Sequence, residues 1–186
     1  MAKKCKICQE VFKPTFSSLQ TTCSPKCAIE FASKQVKKEN AKAWQAEKKE
    51  RKEKLLTTSD WLQLLQTVFN AYIRERDFGK PCISCGTRKP VQMCAGHFYS
   101  RGAYPNLRVD EDNVHGQCNK KCNLKLSGNL LEYRPRLIKK IGQQRFDELE
   151  SRKQNDLKLT LPEIKEMIIH YRALTKELKQ NRFYRV

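Results

Sequence analysis

The sequence lacks any long apolar run. Apolar residues make up 39% of the 186 residues, and no stretch approaches the roughly 18 consecutive apolar residues of a membrane-spanning helix. The opening residues, MAKKCKICQE, also lack the apolar segment of a secretory signal peptide. These two absences argue against a membrane-embedded or exported protein, and we expect this chain to act in the cytoplasm.

Acidic residues are few compared with basic ones. The chain has 20 acidic and 38 basic residues, which gives a formal net charge of +18. A field of this strength attracts polyanions, and lysine or arginine contacts to phosphates supply much of the affinity of nucleic-acid-binding proteins. An anionic membrane surface is the competing polyanion. Because no membrane segment is present, the charge predicts a nucleic-acid partner and no membrane partner.

Cysteine, in contrast, is abundant. Eight of the nine cysteines form two groups of four, each made of two closely spaced pairs, and Cys94 stands apart as a small strand residue. Such pairs in a reducing cytosol are typical of tetrahedral zinc sites rather than disulfides. The sequence therefore predicts two structural zinc ions. Their ligands are Cys5, Cys8, Cys23 and Cys27 in the first group and Cys82, Cys85, Cys118 and Cys122 in the second.

Apolar periodicity predicts a mostly α-helical chain. Residues 27–56 are rich in lysine and lack glycine and proline, which predicts one long helix; it is either a solvated linker or a helix laid along DNA phosphates. A second helix, with one apolar face, begins within Thr58–Asp60. A final helix begins at Thr160, because Thr160 and Glu163 have the spacing of a capping box.

These elements divide the chain into four parts. A strand at 91–98 and a helix from about Asn119 accompany the second group of cysteines and form a small core. An apolar set broken by Pro135 predicts a further helix, which Gly142 ends, and residues 143–153 form another. We predict a zinc-finger-like segment at 1–27, a long basic helix or linker at 28–57, a core module with its preceding packing helix at 58–129 and a C-terminal helical region at 130–186.

The stretch between the second group's cysteine pairs contains polar residues that a structural zinc loop does not need. They are His97, Asn113 and His115, and Asn123 directly follows the last cysteine. Phosphodiester hydrolysis needs a base that activates water, a group that orients the base and a divalent cation that holds the scissile phosphate. A single histidine is more often structural than catalytic. The position of His97 between cysteine pairs, in phase with the two asparagines, favours catalysis.

These motifs resemble known nucleases. The order of cysteines, His97, Asn113 and Asn123 resembles the zinc-stapled HNH, or ββα-metal, nucleases, and the Cys-Asn dipeptide at 122–123 is similar to junction-resolving phage endonucleases of that superfamily. Across most of the chain, GHFYSRGAYPNLR, NVHGQC, YRPRLIKKIG and FNAYIRERD before PCISCGT resemble the NinG (Rap) recombination family of lambdoid phages. The resemblance implies a mostly α fold with a small zinc-stapled ββα-metal (HNH-like, treble-clef) core, an N-terminal zinc knuckle and a long basic helix.

The resemblance also implies a role for each polar residue. His97 matches the general base, Asn113 the residue that fixes its imidazole, and Asn123 a ligand of a catalytic magnesium or manganese ion. One position departs from the family, since Gly96 stands where a second metal ligand is usual. The replacement could be His115, Asp110, Glu111, Asp112 or Cys94, of which the acidic run suits a hard cation better than a thiol.

The implied function is a structure-specific DNA endonuclease that cuts Holliday junctions and D-loops during phage recombination in the bacterial host cytoplasm. The competing functions are a non-catalytic zinc protein that binds recombining DNA and an HNH restriction-type nuclease on linear duplex. Phage or host recombination proteins are expected partners, and an enzyme that must cut two strands is expected to be a homodimer. The expected DNA contacts are Arg101, Arg108, Lys120, Lys121, Lys125, Arg134, Arg136, Lys139 and Lys140.

Overall fold

A computed structural model of the chain describes residues 2–154 and 156–183. The chain divides into two compact units, Met1–Leu56 and Thr57–Val186. The predicted predominance of helix is confirmed. No helix in the described ranges is both long enough and apolar enough to cross a membrane.

The first unit consists of a small knuckle followed by one long helix. Strands β1 (Lys3–Lys4) and β2 (Val11–Phe12) pair antiparallel, and helix α1 covers Pro25–Lys54. The Ser24 side chain accepts a hydrogen bond from the backbone N–H of Cys27, and a proline occupies the first turn. Both features are helix-start signals, and with them α1 begins two residues before the predicted range of 27–56. No residue of α1 is buried.

The second unit combines a two-stranded hairpin with helices. In chain order it contains α2 (Thr58–Arg76), β3 (Met93–His97), β4 (Val114–Cys118), a seven-residue π-type helix that we call the short helix (Asn119–Lys125), α3 (Leu130–Ile141), α4 (Gln143–Ser151) and α5 (Leu161–Phe183). The strands pair antiparallel from Met93↔Cys118 to His97↔Val114.

Helices α2 and α5 both begin with a capping box. The Thr57 hydroxyl accepts from the backbone N–H of Asp60 at 3.2 Å, and the Asp60 carboxylate accepts from the Thr57 N–H at 2.9 Å. The N-cap is therefore Thr57 and not a residue of Thr58–Asp60, because the box needs its acid three residues after the cap. In α5, Thr160 and Glu163 make the reciprocal bonds, as predicted.

One hydrophobic core lies between α2, α5 and one face of the hairpin. It is formed by apolar side chains that recur with the helical period, namely Trp61, Leu65, Phe69, Tyr72, Ile73, Val114, Ile164, Ile168 and Tyr171. A second core lies against the opposite face, where α3 and α4 contribute Tyr133, Leu137, Phe146 and Leu149 around Phe98. Because successive strand residues point to opposite faces, the hairpin is held from both sides.

The helix that contains Pro135 differs from the prediction. Pro135 does not break the apolar set, since α3 continues through it and Tyr133 and Leu137 on either side are fully buried. Gly142 ends α3 with a positive φ of 86°, a conformation that glycine adopts without strain. Residues 184–186, the end of the predicted C-terminal region, lie outside the described residues.

Candidate functional site

The second group of cysteines gathers at the open end of the hairpin. Its four sulfur atoms all lie within 4.8 Å of one another, with Cys82–Cys118 at 3.7 Å and Cys85–Cys118 at 3.8 Å. Zinc–sulfur bonds of about 2.3 Å in a tetrahedron separate the sulfurs by about 3.8 Å. The donor set therefore fits one zinc ion, which would tie the Cys82 loop to β4 and the short helix.

The first group of cysteines forms a comparable cluster in the other unit. Its sulfurs also lie within 4.8 Å of one another, with Cys8–Cys23 at 3.4 Å and Cys23–Cys27 at 3.7 Å. The Cys5 sulfur accepts a hydrogen bond from the Cys23 backbone N–H. Both predicted tetrads could thus hold zinc. Cys94 belongs to neither, because its thiol points at the Gln117 carbonyl and burial raises its pKa to about 11.

His97 is the last residue of β3, and its half-buried ring is held through one nitrogen. Nε2 lies 3.0 Å from the backbone oxygen of Arg108. Burial lowers the pKa of His97, and the charges of Arg101 and Arg108 lower it further. The ring is therefore neutral at pH 7, and Nε2 carries the proton that this carbonyl accepts. Nδ1, which has no hydrogen-bond partner among the described residues, keeps a free lone pair.

Asn113 is fully buried beside β4 and connects the two ends of the loop that follows β3. Its Oδ1 accepts from the Tyr99 backbone N–H at 2.7 Å. Its Nδ2 donates to the carbonyls of Tyr99 and Leu107, both at 2.9 Å. No hydrogen bond joins Asn113 to His97 in the described part of the chain. Its connection to the imidazole is indirect, since Leu107 directly precedes the Arg108 carbonyl that binds the ring.

Gln66 of α2 is a site residue that sequence reasoning missed. It is 3% exposed, and its Nε2 donates to the Arg108 carbonyl at 3.2 Å while its Oε1 accepts from the Arg108 guanidinium at 3.2 Å. Nε2 also lies 3.5 Å from the His97 ring. Gln66 therefore holds both the backbone carbonyl and the guanidinium of Arg108 in place. The only sequence signal is a polar residue next to the core position Leu65.

Asn123 lies on the short helix, which packs against both strands of the hairpin. Its side chain is partly buried, and its backbone carbonyl accepts from the Gly128 N–H at 3.2 Å. No hydrogen bond links the Asn123 amide with His97 within the described residues. The structure places both residues in the same hairpin-and-helix module.

Gly96 is explained by its neighbour across the hairpin. A Cβ added at Gly96 would overlap Oε1 of Gln117 and lie 2.7 Å from its Cβ, so the Gln117 side chain occupies the space that a ligand at position 96 would need. Gln117 is fully buried, and its Nε2 donates to the Gly128 carbonyl at 2.6 Å. Its Oε1 has no hydrogen-bond partner among the described residues.

Comparison with known proteins decides the family. A family model described as "Bacteriophage Lambda NinG protein" matches residues 1–181. The chain belongs to the NinG family. It is 41% identical to "Protein ninG" of Escherichia phage 933W, over 97% of this chain and 95% of that protein. The protein of the same name from Escherichia phage lambda is 40% identical over 94% and 91%, and that of Salmonella phage P22 is 40% identical over 94% and 92%. No solved structure matches.

His115 of this NinG-family chain is placed differently from the expectation that it binds the catalytic metal. Its side chain is 2% exposed, Nδ1 lies 2.8 Å from the Arg76 guanidinium and 3.0 Å from the Lys140 ammonium, and Nε2 lies 3.2 Å from the Asp112 carbonyl. Burial, with Lys140 and Arg76, lowers its pKa. Because both ring nitrogens of the neutral ring have protein partners, His115 has no lone pair for an ion.

The three acidic residues that could replace a metal ligand at position 96 also have protein partners. Asp110 and Asp112 both form ion pairs with Arg152, and Asp112 also pairs with Arg145. Glu111 accepts from the hydroxyl of Tyr72 at 2.9 Å and pairs with Arg76. These carboxylates stabilise the contacts of the β3–β4 loop with the helices.

Asp77, at the C-terminal end of α2, is a second buried group without a sequence signal. Its carboxylate accepts from the Gly116 backbone N–H at 2.9 Å and pairs with Arg76 and Lys140. Although burial opposes it, the neighbouring His115 ring and the charges of Arg76 and Lys140 hold the pKa of Asp77 well below its usual range. Asp77 therefore joins α2, β4 and α3 in one charged network that includes His115.

The predicted DNA-contacting residues fall into three groups. Arg101, Lys120, Lys121 and Lys125 are exposed on loops and the short helix. Arg136, Lys139 and Lys140, with Lys80 and Arg88, line a cleft of about 500 Å³ beside Cys82. Arg108 and Arg134 are engaged within the protein, the first with Gln66 and the second with the Phe146 ring and Glu150. Contact of these residues with DNA stays a prediction.

Proposed function

We propose that this NinG-family chain is a metal-dependent endonuclease that cuts branched DNA. The observation that carries the proposal is the state of His97, a neutral imidazole at the end of a cysteine-clamped hairpin, with its Nε2 bound to a carbonyl and its Nδ1 free. A group in this state can accept a proton near neutral pH. The guanidinium groups of Arg101 and Arg108 next to it suit a phosphodiester substrate.

In the proposed reaction, Nδ1 of His97 takes a proton from the attacking water. The Arg108 carbonyl stabilises the imidazolium that forms, because Nε2–H donates to it throughout. Gln66 donates a hydrogen bond to that carbonyl, and Asn113 donates one to the preceding carbonyl of Leu107. The arginines compensate the charge that develops on the phosphate.

A magnesium or manganese ion, when bound, would stabilise the leaving oxygen and the phosphate. Among the residues expected to hold it, Asn123 offers a side-chain oxygen on the short helix. Because magnesium keeps several waters and takes substrate phosphate oxygens as ligands, a single protein amide is compatible with such a site. Zinc in the cysteine tetrad would have four thiolate ligands and would act only as a structural clamp.

The choice of branched substrates is supported by the resemblance of the site motifs to phage junction-resolving nucleases and by the net charge of +18. Charge alone attracts all DNA, since phosphate contacts carry no information on sequence or branching. We extend the proposal to action on Holliday junctions and D-loops, with recombination proteins as partners and a homodimer as the active form.

The test is cleavage of a synthetic four-way junction with and without manganese. We expect His97→Ala to lower the rate by about 10²- to 10⁴-fold, the usual contribution of a general base, with folding, zinc content and junction binding unchanged. His170→Ala is the matched control, because His170 is exposed on α5. Full activity of His97→Ala would contradict the proposal.

A non-catalytic DNA-binding function is the second candidate, and Gly96 with the engaged carboxylates of the β3–β4 loop favours it. Wild-type protein that binds junctions but never nicks them with magnesium or manganese would establish this candidate. Linear duplex of the same length, included in the same assay, separates a restriction-type nuclease from a branch-specific one. Cleavage at a defined sequence in the linear duplex would favour restriction.

A further inference from the structure

Helix α1 segregates its charges by face. With 3.6 residues per turn, the side chains of an α-helix turn by about 100° per residue. Between positions 34 and 49, all six lysines then fall within an arc of about 140°. We call this set the lysine stripe; it consists of Lys34, Lys37, Lys38, Lys42, Lys48 and Lys49.

The acidic residues of the same span lie outside the lysine stripe. Glu39 and Glu47 project at least about 60° beyond its edges, on the same geometry. Three i,i+4 ion pairs of α1 begin at acidic residues near its ends, Glu30, Glu47 and Glu50. Lys34 at the start of the stripe pairs with Glu30, and from Lys37 to Lys49 the stripe is a surface of one sign about 18 Å long, at 1.5 Å of rise per residue.

An aromatic side chain borders the lysine stripe. Trp44 is 57% exposed and projects about 20° from the direction of Lys37. Every residue of the stripe is also exposed, and α1 buries no side chain. A basic surface with an exposed aromatic ring is the combination that nucleic-acid-binding proteins use, with cations on phosphates and the ring against a base or sugar.

We infer that the lysine stripe with Trp44 is a binding site for the sugar–phosphate backbone of DNA. The inference goes beyond the proposed cleavage and does not depend on it, because binding by α1 needs neither His97 nor a catalytic ion.

A lipid surface does not fit this face pattern. A helix that lies in a membrane interface buries a continuous apolar face opposite its cations. Here the face opposite the stripe carries Glu39 and Glu47 among small residues, and its large apolar side chains are only Ile29 and Val36. These two residues are also too sparse for a coiled-coil seam.

The test compares two variants that remove the same charge from the full-length chain. In the first, Lys37, Lys42 and Lys48 of the stripe are changed to Gln; in the second, the exposed Arg172, Lys176 and Lys179 of α5 are changed to Gln. Gln is a good helix former, so both helices are retained. Both variants carry His97→Ala and are measured without divalent cation, so that the proposed cleavage cannot affect the result.

Binding is measured by anisotropy with a labelled duplex over a range of salt concentrations. We expect the stripe variant to bind more weakly and its log–log salt slope to fall by about 2.7, since each phosphate that is no longer neutralised lowers the slope by about 0.9. The α5 variant should keep its slope. Equal losses in both variants would show that only the overall field matters and would overturn the inference.

A second measurement reports contact directly. The chain has two tryptophans, and Trp61 is 8% exposed, so a DNA-dependent change in emission should come from Trp44. We expect emission to change on saturation with duplex or with single-stranded DNA of the same length, and this change to be absent in Trp44→Phe. Unchanged wild-type emission at saturation with both DNAs would count against the site, as would a stripe variant that loses binding to phosphatidylserine vesicles but not to DNA.

Discussion

His97 and His115 belong to neighbouring strands of one hairpin but to its opposite faces, because His97 pairs with Val114 and Gly96 with His115. Burial lowers the pKa of both rings. The two rings differ in how many of their nitrogens have hydrogen-bond partners in the protein. His97 uses one for the protein, whereas His115 uses both. Burial and a shifted pKa are therefore shared by a candidate base and a structural residue, and the free lone pair distinguishes them.

The charged groups around the two rings also differ. The ring of His97 is flanked by the charges of Arg101 and Arg108, which suit an incoming phosphate. The ring of His115 accepts from Arg76 and Lys140, which both pair with Asp77, and Arg76 also pairs with Glu111. One face of the hairpin thus has unsatisfied positive charge, and the other face has a closed network.

The largest expected effect comes from disrupting the cysteine tetrad that holds the hairpin carrying both histidines. We expect Cys122→Ser to lose zinc from the second tetrad and to unfold the hairpin, because zinc binding to such sites supplies about 10–16 kcal/mol of apparent folding free energy. Zinc content and circular dichroism measure the result. Cys94→Ser is the matched control, since Cys94 lies outside both tetrads; equal loss of zinc in both variants would refute the assignment of ligands.

The second-largest expected effect distinguishes the role of His115 from that of His97. We expect His115→Ala to lower the free energy of unfolding by roughly 2–4 kcal/mol, because Arg76 and Lys140 lose a buried acceptor. The folded fraction should still cut DNA. His97→Ala should show the reverse pattern, with small loss of stability and large loss of cleavage. Chemical denaturation and cleavage assays on both variants test the contrast, which fails if His115→Ala is stable but inactive.

Much of the fold could be predicted because the signals are local. The capping box at Thr160 lies within three residues of its acid, Glu163, and the cysteine spacing brings its ligands together through tight turns; the N-cap of α2 was predicted within Thr58–Asp60 and lies at Thr57. The helical period predicted one apolar face for α2, and the structure buries residues of that face such as Phe69. The break expected at Pro135 was wrong, because core contacts of α3 on both sides outweigh the loss of one backbone hydrogen bond.

The candidate site was harder to predict, because its contacts join residues distant in sequence. Gln66 reaches Arg108 across 42 positions, and Lys140 reaches His115 across 25. Residue type shows that His115 can bind a metal but not that its nitrogens are already occupied. The effect of Asn113 on His97 through the Leu107 carbonyl likewise depends on a loop conformation that no spacing specifies.

Substitution of Gln66, which lies beside His97, is expected to have a smaller effect on the cleavage rate. We expect Gln66→Leu to lower the cleavage rate by about tenfold, roughly 1.4 kcal/mol, since the Arg108 carbonyl and guanidinium both lose a hydrogen-bond partner worth about that much. The structure of the hairpin should persist. Gln63→Leu is the control, because Gln63 is exposed on the same helix. Equal activity of the two variants would mean that Gln66 does not position the carbonyl for catalysis.

The smallest expected effect is a shift in pH dependence. The folded protein holds His97 and His115 with a pKa below the ordinary 6.5, so the unfolded chain binds more protons as the pH falls through 6.5. Stability should therefore be complete above this pH and decline below it, by up to about 1.4 kcal/mol per pH unit for each histidine. His115→Ala should make the decline shallower.

The pH dependence of the cleavage rate should also reflect the lowered pKa of His97. Because the base must be neutral, the rate should fall only at a pH below 6.5, and the midpoint of this acid limb should not move in His115→Ala. Arg101→Gln removes one of the charges that lower the pKa of His97 and should move the midpoint upward, towards 6.5. A midpoint that stays fixed in Arg101→Gln but moves in His115→Ala would show that the titrating group lies on the His115 face of the hairpin and is not His97.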